Sequence, residues 1–188
     1  MFASAEHPFL TVDEYLTLEQ TSLERHEYVA GQAYAMAGGS EEHDLIAGNI
    51  YMRLRSHLRG TEYRVFSGNM KIRIAEPDIF YYPDVSVTCD PGDREKYFKE
   101  RPTLLVEVLF PGTARIDRNE KLMNYRQLDS LQEYLLVSQT EPAVEMYRRD
   151  AAGLWQGELF KAEGPLFLKS VELTLSLSEI YEDLAFSE

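Results

Sequence analysis

The sequence predicts an α/β chain with a mixed central β-sheet flanked by helices, and three observations carry that expectation. Leu104-Leu105-Val106-Glu107-Val108-Leu109-Phe110 and Glu133-Tyr134-Leu135-Leu136-Val137 are short runs of the kind buried on both faces of a sheet. Leu45, Ile46, Asn49, Ile50, Leu54 and Leu58 recur at helical spacing behind Ser40. The middle of the chain reads helix, strands, helix, strand rather than a regular βαβ alternation, which favours a mixed sheet.

The elements follow in order. Thr11-Val12-Asp13-Glu14 has the capping-box pattern, and Tyr15, Leu16 and Leu18 suit a short first helix. Glu27-Tyr28-Val29 and Ala33-Tyr34-Ala35-Met36 read as a hairpin around Ala30-Gly31-Gln32. Ser40 caps the long helix and Gly60 stops it. Tyr63 to Phe66 and Met70 to Ile74 follow as strands, then Asp84 to Thr88. Asp90 to Pro102 is polar and reads as an exposed excursion. Thr103 to Phe110 is the central strand. After Pro111-Gly112, Asp117 reads as the cap of a helix whose apolar stripe is Leu122, Tyr125 and Leu128. Glu133 to Ser138 is a second buried strand. Ala143 to Arg148 and Leu154 to Phe160 form an outer pair, and Ser178 starts a last helix through Leu184.

Composition sets bounds. The 188 residues suit a single domain, 1–188, with 44% hydrophobic content and enough length for a core without staples. The lone Cys89 rules out an intramolecular disulfide and argues against a cysteine-based zinc site. Met1 to Phe9 lacks the basic, apolar character of a secretory signal, and no stretch approaches membrane-spanning length. A cytoplasmic protein with no membrane partner is expected. The net charge of −13 opposes a general grip on phosphates. Local basic groups remain at Arg53, Arg55, Arg59 and Arg64, and at Arg115, Arg118 and Arg126. Ordinary solvated surface is the plainer reading of both.

Glu107 is the most informative residue. A carboxylate inside an apolar strand costs several kcal/mol, of order 2–7, unless it is paired, hydrogen-bonded or metal-bound. Asp84 opens a neighbouring β-type run, and Lys121 lies at the next helix start. Two acids on adjacent strands with a lysine make a divalent-metal site for phosphodiester chemistry. A buried Glu107–Lys121 ion pair is the structural alternative. His7, His26 and His57 have no partner evident in the sequence, and Cys89 has no histidine-and-acid arrangement beside it. No glycine-rich phosphate loop or dinucleotide fingerprint occurs.

The element order, with Pro83-Asp84 before one strand and Glu107 inside the next, resembles the core of PD-(D/E)XK nucleases, here over about residues 40–138. Closer still is a set of pieces in one order. They are Glu27-Tyr28-Val29-Ala30-Gly31, His43, Pro83-Asp84-Val85, Val106 to Thr113, Asp117 to Tyr125, and Glu133-Tyr134-Leu135-Leu136-Val137. Together they resemble the Uma family of predicted restriction endonucleases, long carried as a domain of unknown function, from about Leu10 to Leu184.

The resemblance implies a restriction-endonuclease-like core with an N-terminal helix-hairpin and C-terminal β additions. It implies Asp84, Glu107 and the Val108 carbonyl as metal ligands, Lys121 as the motif lysine, and Glu27 and His43 around the same cleft. Its cofactor would be Mg²⁺ or Mn²⁺, which hard oxygen donors suit. Its partner would be nucleic acid, with DNA favoured, and a homodimer would pair two sites for two strands. Leu109 stands where the superfamily pattern has lysine, so Lys121 must return the amine from the next helix. Phe110 departs from the family's small polar residue and would narrow the cleft mouth. Glu27 and His43 also read as a hairpin residue and a helix-start residue without chemistry, and Tyr125 as packing beside Lys121. Three functions follow: a divalent-metal-dependent endonuclease, a catalytically inactive nuclease-fold binding or regulatory protein, and a small phosphoester hydrolase.

Overall fold

The computed structural model describes residues 9–36, 38–161 and 164–186. The N-terminal unit is α1 (Val12–Thr21) followed by the hairpin β1 (His26–Val29) and β2 (Gln32–Ala35). Both halves of the Thr11/Glu14 capping box form, which satisfies amides the first turn would leave orphaned. The hairpin reverses through Ala30 and Gly31, both at positive φ (46° and 95°). α2 (Glu41–His57) comes next, with Ser40 accepting from the His43 amide.

A run of strands follows: β3 (Arg64–Ser67), β4 (Lys71–Ile74), β5 (Ile79–Tyr81), β6 (Val85–Thr88), β7 (Phe98–Lys99) and β8 (Leu104–Leu109). The chain then forms one helical segment from α3 (Ala114–Ile116), a π-helical turn (Asp117–Lys121) and α4 (Leu122–Tyr125). β9 (Glu133–Ser138), β10 (Val144–Arg149) and β11 (Trp155–Phe160) complete the main sheet. The hairpin β12 (Pro165–Leu168) and β13 (Leu173–Ser176) leads into α5 (Leu177–Ile180), which Ser176 and Glu179 cap.

The main sheet has the order β11-β10-β9-β8-β6-β3, and β8–β9 is its parallel pair. A second sheet has the order β2-β1-β5-β4-β7, with β4–β7 parallel. All six residues of β8 are buried because both faces are covered. On one face, Ile46, Ile50 and Leu54 of α2 meet Val106, Val108, Leu135 and Val137. On the other, Leu122, Tyr125 and Leu128 meet Leu105, Leu109 and Leu136, with Ile72 and Tyr81 of the second sheet. Each such leucine contributes roughly 1.5–3 kcal/mol by burial. α1 closes the second sheet through Tyr15 against Tyr28 and Phe80. No described helix is long and apolar enough to cross a membrane.

Several sequence expectations need correction. The stretch from Asp90 to Pro102 is not simply an exposed excursion, since it carries β7 with Phe98 and Lys99 buried. Its buried Asp93 carboxylate accepts from the Glu100 and Arg101 amides at 3.2 and 3.0 Å, so polar residues there satisfy backbone rather than face solvent. β5 and the β12–β13 hairpin add strands to those expected. Asp117 does not cap a helix, because the helical segment starts earlier, at Ala114, and the Asp117 side chain is buried in the π turn. The last helix begins at Leu177 behind Ser176 rather than at Ser178. His26 and His57 do have partners: Glu19 Oε1 at 3.0 Å and the Val171 carbonyl at 3.0 Å. His7 lies outside the described residues.

Candidate active site

The site forms where one strand outruns its neighbour. Val85 pairs with Val106, so Glu107, Val108 and Leu109 extend past the start of β6. Proline at position 83 has no N–H to continue a ladder. Asp84 fills the gap with its side chain, and its Oδ2 accepts from the Val108 N–H at 2.7 Å. The N–H and C=O of one strand residue point to the same side. The Val108 carbonyl therefore faces the same open edge as Asp84.

His43, in the first turn of α2, places Nε2 3.2 Å from Asp84 Oδ2. Gly39 makes room for it, since a Cβ there would lie 3.0 Å from His43 Nδ1. The hydrogen bond to Asp84, opposed by burial and helped by the same carboxylate's charge, raises the imidazole above the ordinary value of 6.5.

Glu107 points to the opposite face of the sheet, where the π turn delivers Lys121. The Lys121 ammonium lies 2.9 Å from Glu27 Oε1, 3.1 Å from Glu107 Oε1 and 3.2 Å from Asp117 Oδ1. Its contact with Glu27 is an ion pair outside hydrogen-bond alignment. Tyr125 donates its hydroxyl to Glu107 Oε1 at 3.0 Å, and the Tyr81 ring lies 5.4 Å from the ammonium. Glu107 is 4% exposed and Lys121 7%. Burial drives Glu107 well above the ordinary carboxylate range, with Lys121 pulling it down and Asp117, Asp84 and Glu27 pushing it up. Burial opposes the charge on Lys121, but Glu107, Glu27 and Asp117 together hold it well above its usual value. The three carboxylates thus favour the charged form of Lys121, which suits it to stabilising negative charge.

Asp84, Glu107, Val108, Lys121, Glu27 and His43 line one cleft of about 890 Å³. The arrangement has two halves. Lys121 contacts Glu107 but forms no ion pair with Asp84, whose partners are His43 and the Val108 amide. Phe110 also lines the cleft, half-buried at its wall. Sequence reasoning missed Asp117 as a third acid on Lys121, although their i,i+4 spacing was the available signal. Tyr125 is both packed, at 0% exposure, and hydrogen-bonded to the site. None of the seven arginines singled out in the sequence lines the cleft. Arg53 pairs with Glu179 and Glu182, Arg64 with main-chain oxygens of Asp90 and Asp93, and Arg118 with Glu145.

The donors fit a hard divalent cation. Glu107 Oε2 and Asp84 Oδ1 make no hydrogen bond among the described residues, and neither is a sealed, orphaned atom. With the Val108 carbonyl they are oxygen donors lining one cleft, the donor type Mg²⁺ and Mn²⁺ prefer. Among the described residues no three His, Cys, Asp or Glu side chains are grouped to enclose an ion by themselves. A cation here would therefore rely on the carbonyl and on water, as Mg²⁺ commonly does.

The family model Uma2, described as "Putative restriction endonuclease", matches residues 12–180. Uncharacterized protein slr1290 of Synechocystis is 40% identical over 184 residues, spanning 97% of this chain and 97% of that protein. Uncharacterized protein sll1609 of the same organism is 32% identical over 158 residues, 82% of this chain and 89% of that one. A crystal structure of a "putative nuclease belonging to DUF820" from Anabaena variabilis superposes with a TM-score of 0.75 at 18% identity, covering 92% of this chain and 97% of that one. The likeness at that identity is one of fold, and it matches the mixed α/β architecture described above.

Proposed function

The chain belongs to the Uma2 family of restriction-endonuclease-like proteins, and on that premise we propose that it is a divalent-metal-dependent endonuclease that hydrolyses DNA. The observation that carries the reading is that Asp84, bonded to the Val108 N–H at 2.7 Å, and Glu107, the preceding residue of that strand, paired with Lys121 at 3.1 Å, line the same cleft.

Asp84, Glu107 and the Val108 carbonyl would hold Mg²⁺ or Mn²⁺, which supplies Lewis acidity toward water and the phosphoryl oxygens. Water would attack phosphorus and give up one proton to bulk solvent, the bond to the leaving oxygen would break, and that oxygen would take up a proton. Lys121, fixed by three carboxylates, presents its ammonium to the negative charge that builds on the phosphoryl group. Glu27 and Asp117 hold that ammonium in place, and Tyr125 fixes the rotamer of Glu107. His43, with its raised pKa, orients Asp84 and can release a proton toward the leaving oxygen. A symmetric pair of chains would place one site on each strand of a duplex, and a cytoplasmic location suits such a substrate.

One observation favours a second reading. Glu27, Asp44, Asp84, Glu107 and Asp117 line the cleft, and that acidity would suit a small phosphoester better than a polyanion. Incubation with supercoiled plasmid and with p-nitrophenyl phosphate, each under Mg²⁺, Mn²⁺ and chelator, separates the two. Chelator-sensitive nicking of the plasmid supports the endonuclease. Turnover of the small ester alone replaces it, and inertness toward both overturns it in favour of a binding module.

A further inference from the structure

Three basic side chains line the cleft among the described residues: His43, Lys121 and Arg25. The first two are committed to carboxylates, His43 to Asp84 and Lys121 to Glu27, Glu107 and Asp117. Arg25 differs. Its Nη1 donates to the Gly68 carbonyl at 2.6 Å and to Asn69 Oδ1 at 2.9 Å, both neutral acceptors, and it forms no ion pair among the described residues. Its Nε and Nη2 have no hydrogen-bonded protein acceptor there, and the residue is exposed. The guanidinium is held in place as well as exposed, lying 5.8 Å from the centre of the Tyr82 ring.

Its anchor also locates it. The Ser67-Gly68-Asn69 turn leans on the strand edge that carries the site, and a Cβ on Gly68 would lie 3.8 Å from the Asp84 Cα. Arg25 therefore stands one turn from the Asp84 half of the site, with two forked donors and an uncancelled charge. A planar guanidinium of this kind matches the oxygens of a phosphodiester.

We propose that Arg25 clamps a non-scissile phosphate of the strand being cut, so that an otherwise acidic cleft accepts a polyanion. This deepens the endonuclease reading and rests on it. Contact with a backbone phosphate makes the effect independent of base sequence. It also makes it salt-dependent, because each neutralised phosphate releases counterions.

The test uses fluorescence anisotropy of labelled duplexes of several sequences across a salt series, together with steady-state cleavage. The proteins are the wild type, Arg25→Gln, Arg25→Lys and Arg101→Ala. Gln removes the charge while keeping a polar side chain, and Arg101 is an exposed control paired with Asp90 away from the cleft. Arg25→Gln is expected to weaken every duplex by about tenfold and to reduce the salt slope by about 1. Its KM should rise by a similar factor while kcat stays near wild type. Arg25→Lys should keep the slope, and Arg101→Ala should match wild type. A wild type that cleaves, beside a folded Arg25→Gln with unchanged slope and KM, refutes the clamp and leaves the endonuclease reading standing. A loss confined to one sequence also refutes it, since Arg25 would then read a base. A wild type that neither binds nor cleaves removes both. Melting curves verify folding, and if Arg25→Gln does not fold, Arg25→Lys against Arg25→Met decides by the same slope.

Discussion

Lys121 and Glu107 lie 14 residues apart in the chain and meet at 3.1 Å in the interior. The pair is not isolated, because Glu27 and Asp117 reach the same ammonium at 2.9 and 3.2 Å. Removing the cation would leave three carboxylates together in a buried site. Lys121→Met is expected to cost about 3–5 kcal/mol. For a chain of this size that is a fall in melting temperature of roughly 6–20 °C. The sign with pH follows from Glu107, whose folded pKa is raised. Its contribution is present at acid pH and lost as pH rises through the folded value, more steeply when no ammonium opposes it. The deficit of Lys121→Met should therefore shrink on acidification. A deficit that does not change with pH would show that the carboxylates are not crowded.

His43 gives a second pH signature. Its raised folded pKa stems first from the hydrogen bond to Asp84. A histidine of this kind adds stability that is fully present below 6.5 and lost as pH rises through the higher folded value. Imidazole NMR should place the wild-type midpoint above 6.5. In Asp84→Asn the midpoint should fall, because burial then acts with less opposition. An unchanged midpoint would sever His43 from Asp84.

Glu133 offers a contrast between a buried acid of the fold and the acids of the site. It is 0% exposed and accepts from Arg148 Nε at 2.7 Å and from the Ser170 and Lys169 amides at 2.8 and 3.1 Å. It ties β9 to the turn that precedes β13. Glu133→Ala should cost about 3–5 kcal/mol by stranding these donors. Cleavage per folded molecule should survive. Loss of cleavage without loss of stability would reverse that assignment.

Most of the architecture was legible in periodicity. The Thr11 and Ser40 caps and the Glu133–Ser138 strand appear in the structure where their patterns put them, and Leu122, Tyr125 and Leu128 pack together as expected, although the helix ends at Tyr125 and Leu128 lies beyond it. Elements with weak patterns were hidden. β7 has two residues and takes its order from the buried Asp93 carboxylate, which no hydropathy window registers. The early helix start at Ala114 depends on the π turn that brings Asp117 and Lys121 inward together. The acids and the lysine stood out because charge in apolar runs is costly. Their division into a His43–Asp84 half and a Lys121–Glu107 half depends on which sheet face each side chain takes, and so on tertiary packing. Arg25 carries no sequence signal at all, since what distinguishes it is the neutrality of its partners.

The most direct measurement is the rate of plasmid cleavage by Glu107→Gln beside wild type, under Mn²⁺ or Mg²⁺ and at matched folded fraction. Gln is nearly isosteric and can still accept from Lys121 and Tyr125, so melting should move little. The charge that helps hold the cation is removed, and cleavage should fall by at least about 10², the size of losing one contact of roughly 3 kcal/mol in the transition state. A folded Glu107→Gln that cleaves as fast as wild type, or a wild type whose cleavage is indifferent to chelator, would contradict a metal-dependent site at Asp84 and Glu107.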